Sequence, residues 1–163
     1  MSKRSFVVAT LLVAGALSYA PGAAAQMPNP YGAPIDLATA KSVAAASIAE
    51  ARKNNWTMAV AIVDIAGDLV YFEKIDGTQT GSVDLAIGKG VSSVMFKRPT
   101  DAFQTGLAAG GDGLRLLSFP GLIAVGGGVP IVVGGKVVGA VGVSGATAAQ
   151  DTQVANAGAS TQK

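Results

Sequence analysis

The sequence predicts an α+β domain, a largely antiparallel sheet flanked by helices. Three observations carry that prediction. Short β-branched runs alternate with glycine-marked turns, the tightest being Gly134-Gly135 between two such runs. Apolar residues recur at helical spacing in two other stretches. The run from 123 to 151, IAVGGGVPIVVGGKVVGAVGVSGATAAQD, is almost free of charge and reads as a hairpin followed by a helix.

The elements follow in order. Lys3 and Arg4 precede an apolar run over 6–17 and then Ala23-Ala24-Ala25, the pattern of a secretory signal peptide over residues 1–25. Twelve apolar residues are too few for a bilayer, which needs ~20. Residues 26–35 hold three of the chain's prolines and form an irregular arm. A helix begins behind Asp36 as its cap, with Leu37, Ala40, Ala44, Ile48 and Ala51 on one face, and Asn54-Asn55 closes it. Residues 58–64 (MAVAIVD) read as a strand buried on both faces, and 69–74 (LVYFEK) as its hairpin partner.

Val83, Ile87, Val91 and Val94 or Met95 then mark a second helix, which Pro99 terminates. Gly88 and Gly90 inside it each cost ~1 kcal/mol relative to alanine, which fits either close packing against another backbone or a tolerated weak point in the helix. Asp101 and Gln104 start a short helix, and residues 106–121, rich in glycine, are expected to form a mobile lid. Strands are expected at 122–125, 129–133 and 136–143. Thr147 caps a last helix reaching about residue 157. Residues 36–160 thus make one domain.

Composition excludes several function classes. The chain has 12 basic and 10 acidic residues. Loss of Lys3 and Arg4 with the leader leaves them equal in number, so no cationic footprint for nucleic acid remains. There is no cysteine, hence no disulfide and no lipid-anchoring thiol, and no histidine, hence no imidazole acid, base or metal ligand. Low charge with abundant alanine and valine predicts self-association into a homo-oligomer. The leader predicts a periplasmic or secreted protein with no membrane attachment after cleavage.

The glycine-rich segments do not fit nucleotide loops. Lys136 follows Gly135, but Pro130 holds the earlier glycine position and Val137 replaces the magnesium-binding hydroxyl. Gly139, Gly142 and Gly145 lack the surrounding βαβ unit of a dinucleotide site. Ser144 lies between glycines, yet no imidazole exists to activate it. Asp64, Asp68, Asp76, Asp84, Asp112 and Asp151 are scattered without a metal-site spacing, so no metal site is evident. Lys89 stands out as a cation in an apolar helix with no neighbouring carboxylate in sequence. Phe96, Lys97, Arg98, Pro99 and Thr100 follow it, a mixture suited to a ligand with a flat apolar body and carboxylate arms. Lys89, Arg98 and Thr100 are therefore expected to meet acidic groups, and Phe96 and Pro130 apolar ones.

Gly126-Gly127-Gly128-Val129-Pro130-Ile131, the run VGAVGVSG over 138–145, and Gln150-Asp151 with Ala157-Gly158 resemble the GlcG/HbpS-like, or haem-degrading domain, family. Val60 to Asp64, Gly67 with Leu69-Val70, Asp76-Gly77 and the segment 89–100 agree in order, so the resemblance spans about residues 37–158. It implies a profilin-like α+β fold, homo-oligomers and, in several members, binding of haem or a related tetrapyrrole. Trp56 and Asp68 stand where the family pattern commonly has histidine. An iron ligand would therefore have to come from Tyr71, Met58, Met95, a lysine or an oxygen donor. The reading is an exported small-ligand-binding protein with haem as leading ligand. Its rivals are an enzyme on an oxygenated organic acid, pairing Lys89 with Asp64 or Asp76, and a structural or sensory oligomeric partner.

Overall fold

The structure, a computed structural model, describes residues 29–162; the leader expected over 1–25 lies outside them. The elements are α1 (Leu37–Lys53), β1 (Ala59–Asp64), β2 (Leu69–Lys74), α2 (Ser82–Phe96), α3 (Thr100–Ala108), a 3₁₀ helix (Gly111–Ser118), β3 (Gly128–Val133), β4 (Lys136–Ser144) and α4 (Ala148–Ala159). The four strands form one antiparallel sheet in the order β2-β1-β4-β3. This is the expected α+β class.

Alternation along β1 builds three layers. Val60 and Ile62 join Val141 and Val143 of β4 and the apolar faces of α1 and α4, including Val43, Ala44, Ile48 and Val154. Ala59 and Ala61 point the other way, to Ala86 of α2. With both faces covered, β1 has no exposed side to make polar, which accounts for its unbroken apolar run.

Glycines set how closely α2 approaches the sheet. A Cβ at Gly142 would strike the Ala86 carbonyl and stand 2.5 Å from the Gly90 nitrogen. At Gly88 it would stand 2.8 Å from Cγ1 of Ile123. Gly90 is thus a site of close approach to another backbone, whereas Gly88 packs against a side chain.

Residues 122–125, expected as a strand, are irregular. Nearby backbone donors go to side chains and leave no ladder to build: Ile123 N–H bonds Ser92 Oγ at 2.8 Å and Gly126 N–H bonds Gln104 Oε1 at 2.8 Å. The edge strand begins only at Gly128.

The arm is irregular but docked. Gly32 N–H bonds the Val137 carbonyl, and Val137 N–H bonds the Pro30 carbonyl, each at 2.8 Å. The Tyr31 hydroxyl donates to the carbonyls of Val94 at 2.8 Å and Met95 at 3.2 Å, in the last turn of α2. The ring also lies 5.0 Å from Lys97 Nζ.

On the opposite face, Glu50 Oε1 accepts from Gln153 Nε2 at 2.7 Å, tying α1 to α4, and from Asn54 Nδ2 at 3.0 Å. Those hydrogen bonds, with Lys53 nearby, hold its carboxyl below the ordinary value of 4.5. A lowered acid favours the folded chain above pH 4.5 and loses that contribution as pH falls through the depressed value. Glu50→Gln is therefore expected to melt below the parent at pH 7, with the gap narrowing as pH drops below 4.5. Thermal melts across that range check it.

Candidate functional site

The residues following α2 build a cleft. Lys97 takes the left-handed conformation at φ 51° and closes the helix, its N–H bonding the Val94 carbonyl at 3.2 Å. Arg98 is then fixed against the last turn by two bonds with Ser93: its N–H meets the Ser93 carbonyl at 3.2 Å, and its carbonyl accepts from Ser93 Oγ at 3.1 Å. Pro99 leads directly into α3. The 3₁₀ helix packs on α3 where Gly113 meets the backbone of Gly106, a contact no larger residue at 113 permits. Between these walls lies a cavity of about 460 Å³ lined by Phe96, Arg98, Phe103, Asp112, Arg115 and Phe119 among others. Its volume falls within the ~300–1,000 Å³ typical of small-molecule sites.

Its chemistry is aromatic and cationic. Phe96 and Phe119 stack at 5.7 Å between centroids and 8° between planes, while Phe103 meets Phe96 edge-on at 5.4 Å and 74°. Phe103 is buried, whereas Phe96 and Phe119 keep 37% and 38% of their surface exposed. The Arg98 guanidinium lies 5.9 Å from the Phe103 ring centre. Among the described residues, neither Arg98 nor Arg115 joins an ion pair, so both charges remain available to a ligand. Another hollow of about 350 Å³, between α3 and the start of α4, is lined by Asp101, Gln104, Thr105 and Thr152 and has no basic or aromatic side chain.

Of the five residues expected at a site, the structure brings Phe96 and Arg98 together in this cleft. Thr100 is fully buried, and its Oγ1 accepts from Gly128 N–H at 2.8 Å, pinning the start of α3 to β3. Pro130 lies within β3 opposite Ala140 and does not line the cleft. Lys89 is 2% exposed, and its Nζ donates to Asp151 Oδ2 at 2.7 Å and to the Val143 carbonyl at 3.0 Å. The cation expected to face a ligand instead faces an internal carboxylate from α4, 62 positions away. No sequence neighbour of Lys89 could have shown this.

The same pair corrects the partners proposed for an acid–base enzyme. Asp64 Oδ1 accepts from the N–H groups of Ala66 at 2.8 Å and Asp68 at 3.0 Å, closing the β1–β2 turn. Asp76 is exposed in the turn after β2. Burial pushes the Asp151 carboxyl above its ordinary value of 3.8, opposed by the Lys89 ammonium and by the N–H groups of Ala146 and Gly145. Gly127 covers the pair at φ 118°, where a Cβ would stand 2.8 Å from Cβ of Asp151 and 3.0 Å from Lys89 Nζ. Glycine is required there on both conformational and spatial grounds.

Phe103, Arg115 and Phe119 were not singled out from sequence. Arg115 and Phe119 fall in the expected lid, whose 3₁₀ helix is a wall of the cleft. The side chains named as possible iron ligands are elsewhere. Met58 is fully buried in the core, Tyr71 on β2 bonds Glu73 Oε2 at 3.3 Å, and Met95 lies against Gly67. Among the described residues, no cluster of three or more His, Cys, Asp or Glu could hold a metal, and no helix is long and apolar enough to cross a membrane.

The chain matches the family model described as "Haem degrading protein HbpS-like" over residues 35–160. An uncharacterized 15.0 kDa protein of the dhaT-dhaS intergenic region of Citrobacter freundii is 35% identical over 127 residues, covering 76% of this chain and 88% of that one. Protein GlcG of Escherichia coli K12 is 36% identical over 105 residues, covering 64% of this chain and 77% of GlcG. The crystal structure of a Streptomyces reticuli HbpS double mutant superposes with a TM-score of 0.74 at 28% identity, covering 93% of this chain and 99% of that one.

Proposed function

The chain belongs to the HbpS-like family, and from that premise we propose that it binds a flat, acidic tetrapyrrole, haem foremost, in the cleft beyond the end of α2. One observation carries the reading: two stacked phenylalanines with exposed surface share a cavity with two guanidiniums that join no ion pair among the described residues. The residues fit the group. Phe96 and Phe119 supply apolar area for a conjugated face. Arg98 and Arg115 supply planar, permanently charged donors for two propionates. When bound, haem supplies a redox-active iron; the protein's part is to bind, orient and partly shield the ring.

The leader over residues 1–25 supports export to the periplasm or beyond. Exposed Leu114 and Leu117, at 53% and 71%, support assembly into a homo-oligomer.

Titration with haemin, followed at the Soret band, tests the site. The parent is expected to saturate with a band distinct from free haemin. Arg98→Gln and Arg115→Gln are each expected to weaken binding about tenfold, the worth of a charge-assisted hydrogen bond of ~1.5 kcal/mol. Binding by both variants at the parent's affinity would remove the cleft from consideration.

A further inference from the structure

We infer that the cleft reads the periphery of its ligand and not the centre: a porphyrin free acid binds with nearly the same affinity whether its ring holds iron, zinc or no metal. The inference rests on the tetrapyrrole reading above and narrows it to the features that confer recognition.

Axial ligation by a protein usually comes from histidine, cysteine, methionine or tyrosine. The first two are absent from the whole chain. Met58 is buried in the core, Tyr71 bonds Glu73 and Met95 lies beside Gly67; none lines the cleft. Neither nearby lysine substitutes for them. Lys89 is buried in its bond to Asp151, and Lys97 lies over the Tyr31 ring. The cleft does contain one anionic oxygen donor, Asp112, at an exposed position of the 3₁₀ helix.

What remains is recognition of the ring's face and acid groups. Phe96 and Phe119 offer contact area, which any porphyrin face satisfies. Arg98 and Arg115 offer charge, which any pair of propionates satisfies. Both features are shared by haemin, zinc protoporphyrin and metal-free protoporphyrin. They are not shared by protoporphyrin dimethyl ester, whose carboxylates are capped. The chemistry of the cleft therefore discriminates between acid and ester and is blind to the metal.

The experiment titrates the mature protein with these four compounds, following absorbance and porphyrin fluorescence, and repeats the haemin and metal-free series with Asp112→Asn. The expected result is three free acids within about threefold of one another, with the ester weaker by tenfold or more. Asp112→Asn is expected to shift haemin and the metal-free acid by the same factor and to leave the Soret position unchanged. Haemin binding thirtyfold tighter than the metal-free ring would overturn the inference while leaving the tetrapyrrole site standing. Selective loss of haemin, but not of the metal-free acid, in Asp112→Asn would overturn it too, by identifying an iron ligand. Saturable binding of none of the four would instead overturn the site itself.

Discussion

Asp151→Asn is expected to destabilise the protein by about 3–5 kcal/mol, because it leaves the Lys89 ammonium buried with its carboxylate partner gone. With Nζ at 2.7 Å from Oδ2 and side chains only 2% and 3% exposed, solvent cannot take the lost partner's place. A loss of this size is a large part of the net stability of a typical domain, ~5–15 kcal/mol, so the variant should be marginal in urea melts at 25 °C. Lys89→Met combined with Asp151→Leu should recover much of the loss, since it removes both charges and keeps the volume. A near-parental midpoint for Asp151→Asn would show that water reaches the pair. The same burial means that Lys89→Ala should lower stability first, with any effect on ligand following from that.

The second large effect is expected at the contact between α2 and β4. Gly142→Val places a branched side chain where even a Cβ meets the Ala86 carbonyl and the Gly90 nitrogen. Helix α2 must move off the sheet, and overpacking of this kind costs about 1–3 kcal/mol, or more when backbone blocks the way. Because Phe96 and Arg98 are carried by the end of α2, the displacement should also weaken haemin binding. Exposed Lys41→Gln on α1, across the sheet from α2, supplies the control and should change neither. Parental stability and affinity in Gly142→Val would contradict the glycine-seated packing.

Much of this fold is legible in the sequence because burial imposes a period. The apolar run ahead of Asp64 marks a strand covered on both faces, Asp36 and Thr147 each cap a helix through a side-chain oxygen, and Gly134-Gly135 marks the hairpin. Residues 122–125 misled because β-branched composition is indifferent to where the backbone N–H groups go. Here those at Ile123 and Gly126 are taken by Ser92 and Gln104, partners supplied by other elements.

The site divides along the same line. Phe96 and Arg98 are adjacent in sequence to a helix terminus, so their exposure in one place could be anticipated. Arg115 and Phe119 reach the cleft only because Gly113 lets the 3₁₀ helix settle on Gly106. Lys89 was visible as anomalous, but its partner arrives from α4 through tertiary packing, which no local spacing encodes. An isolated charge in an apolar helix signals a constraint without saying whether a ligand or an internal counter-ion satisfies it.

A crystal structure of the mature protein grown with mesoporphyrin tests the cleft most directly. The account predicts a ring lying against Phe96 and Phe119 with its two carboxylates on Arg98 and Arg115. A ring ordered in the hollow beside Asp101 and Thr152, or one whose acid groups reach neither guanidinium, would contradict it.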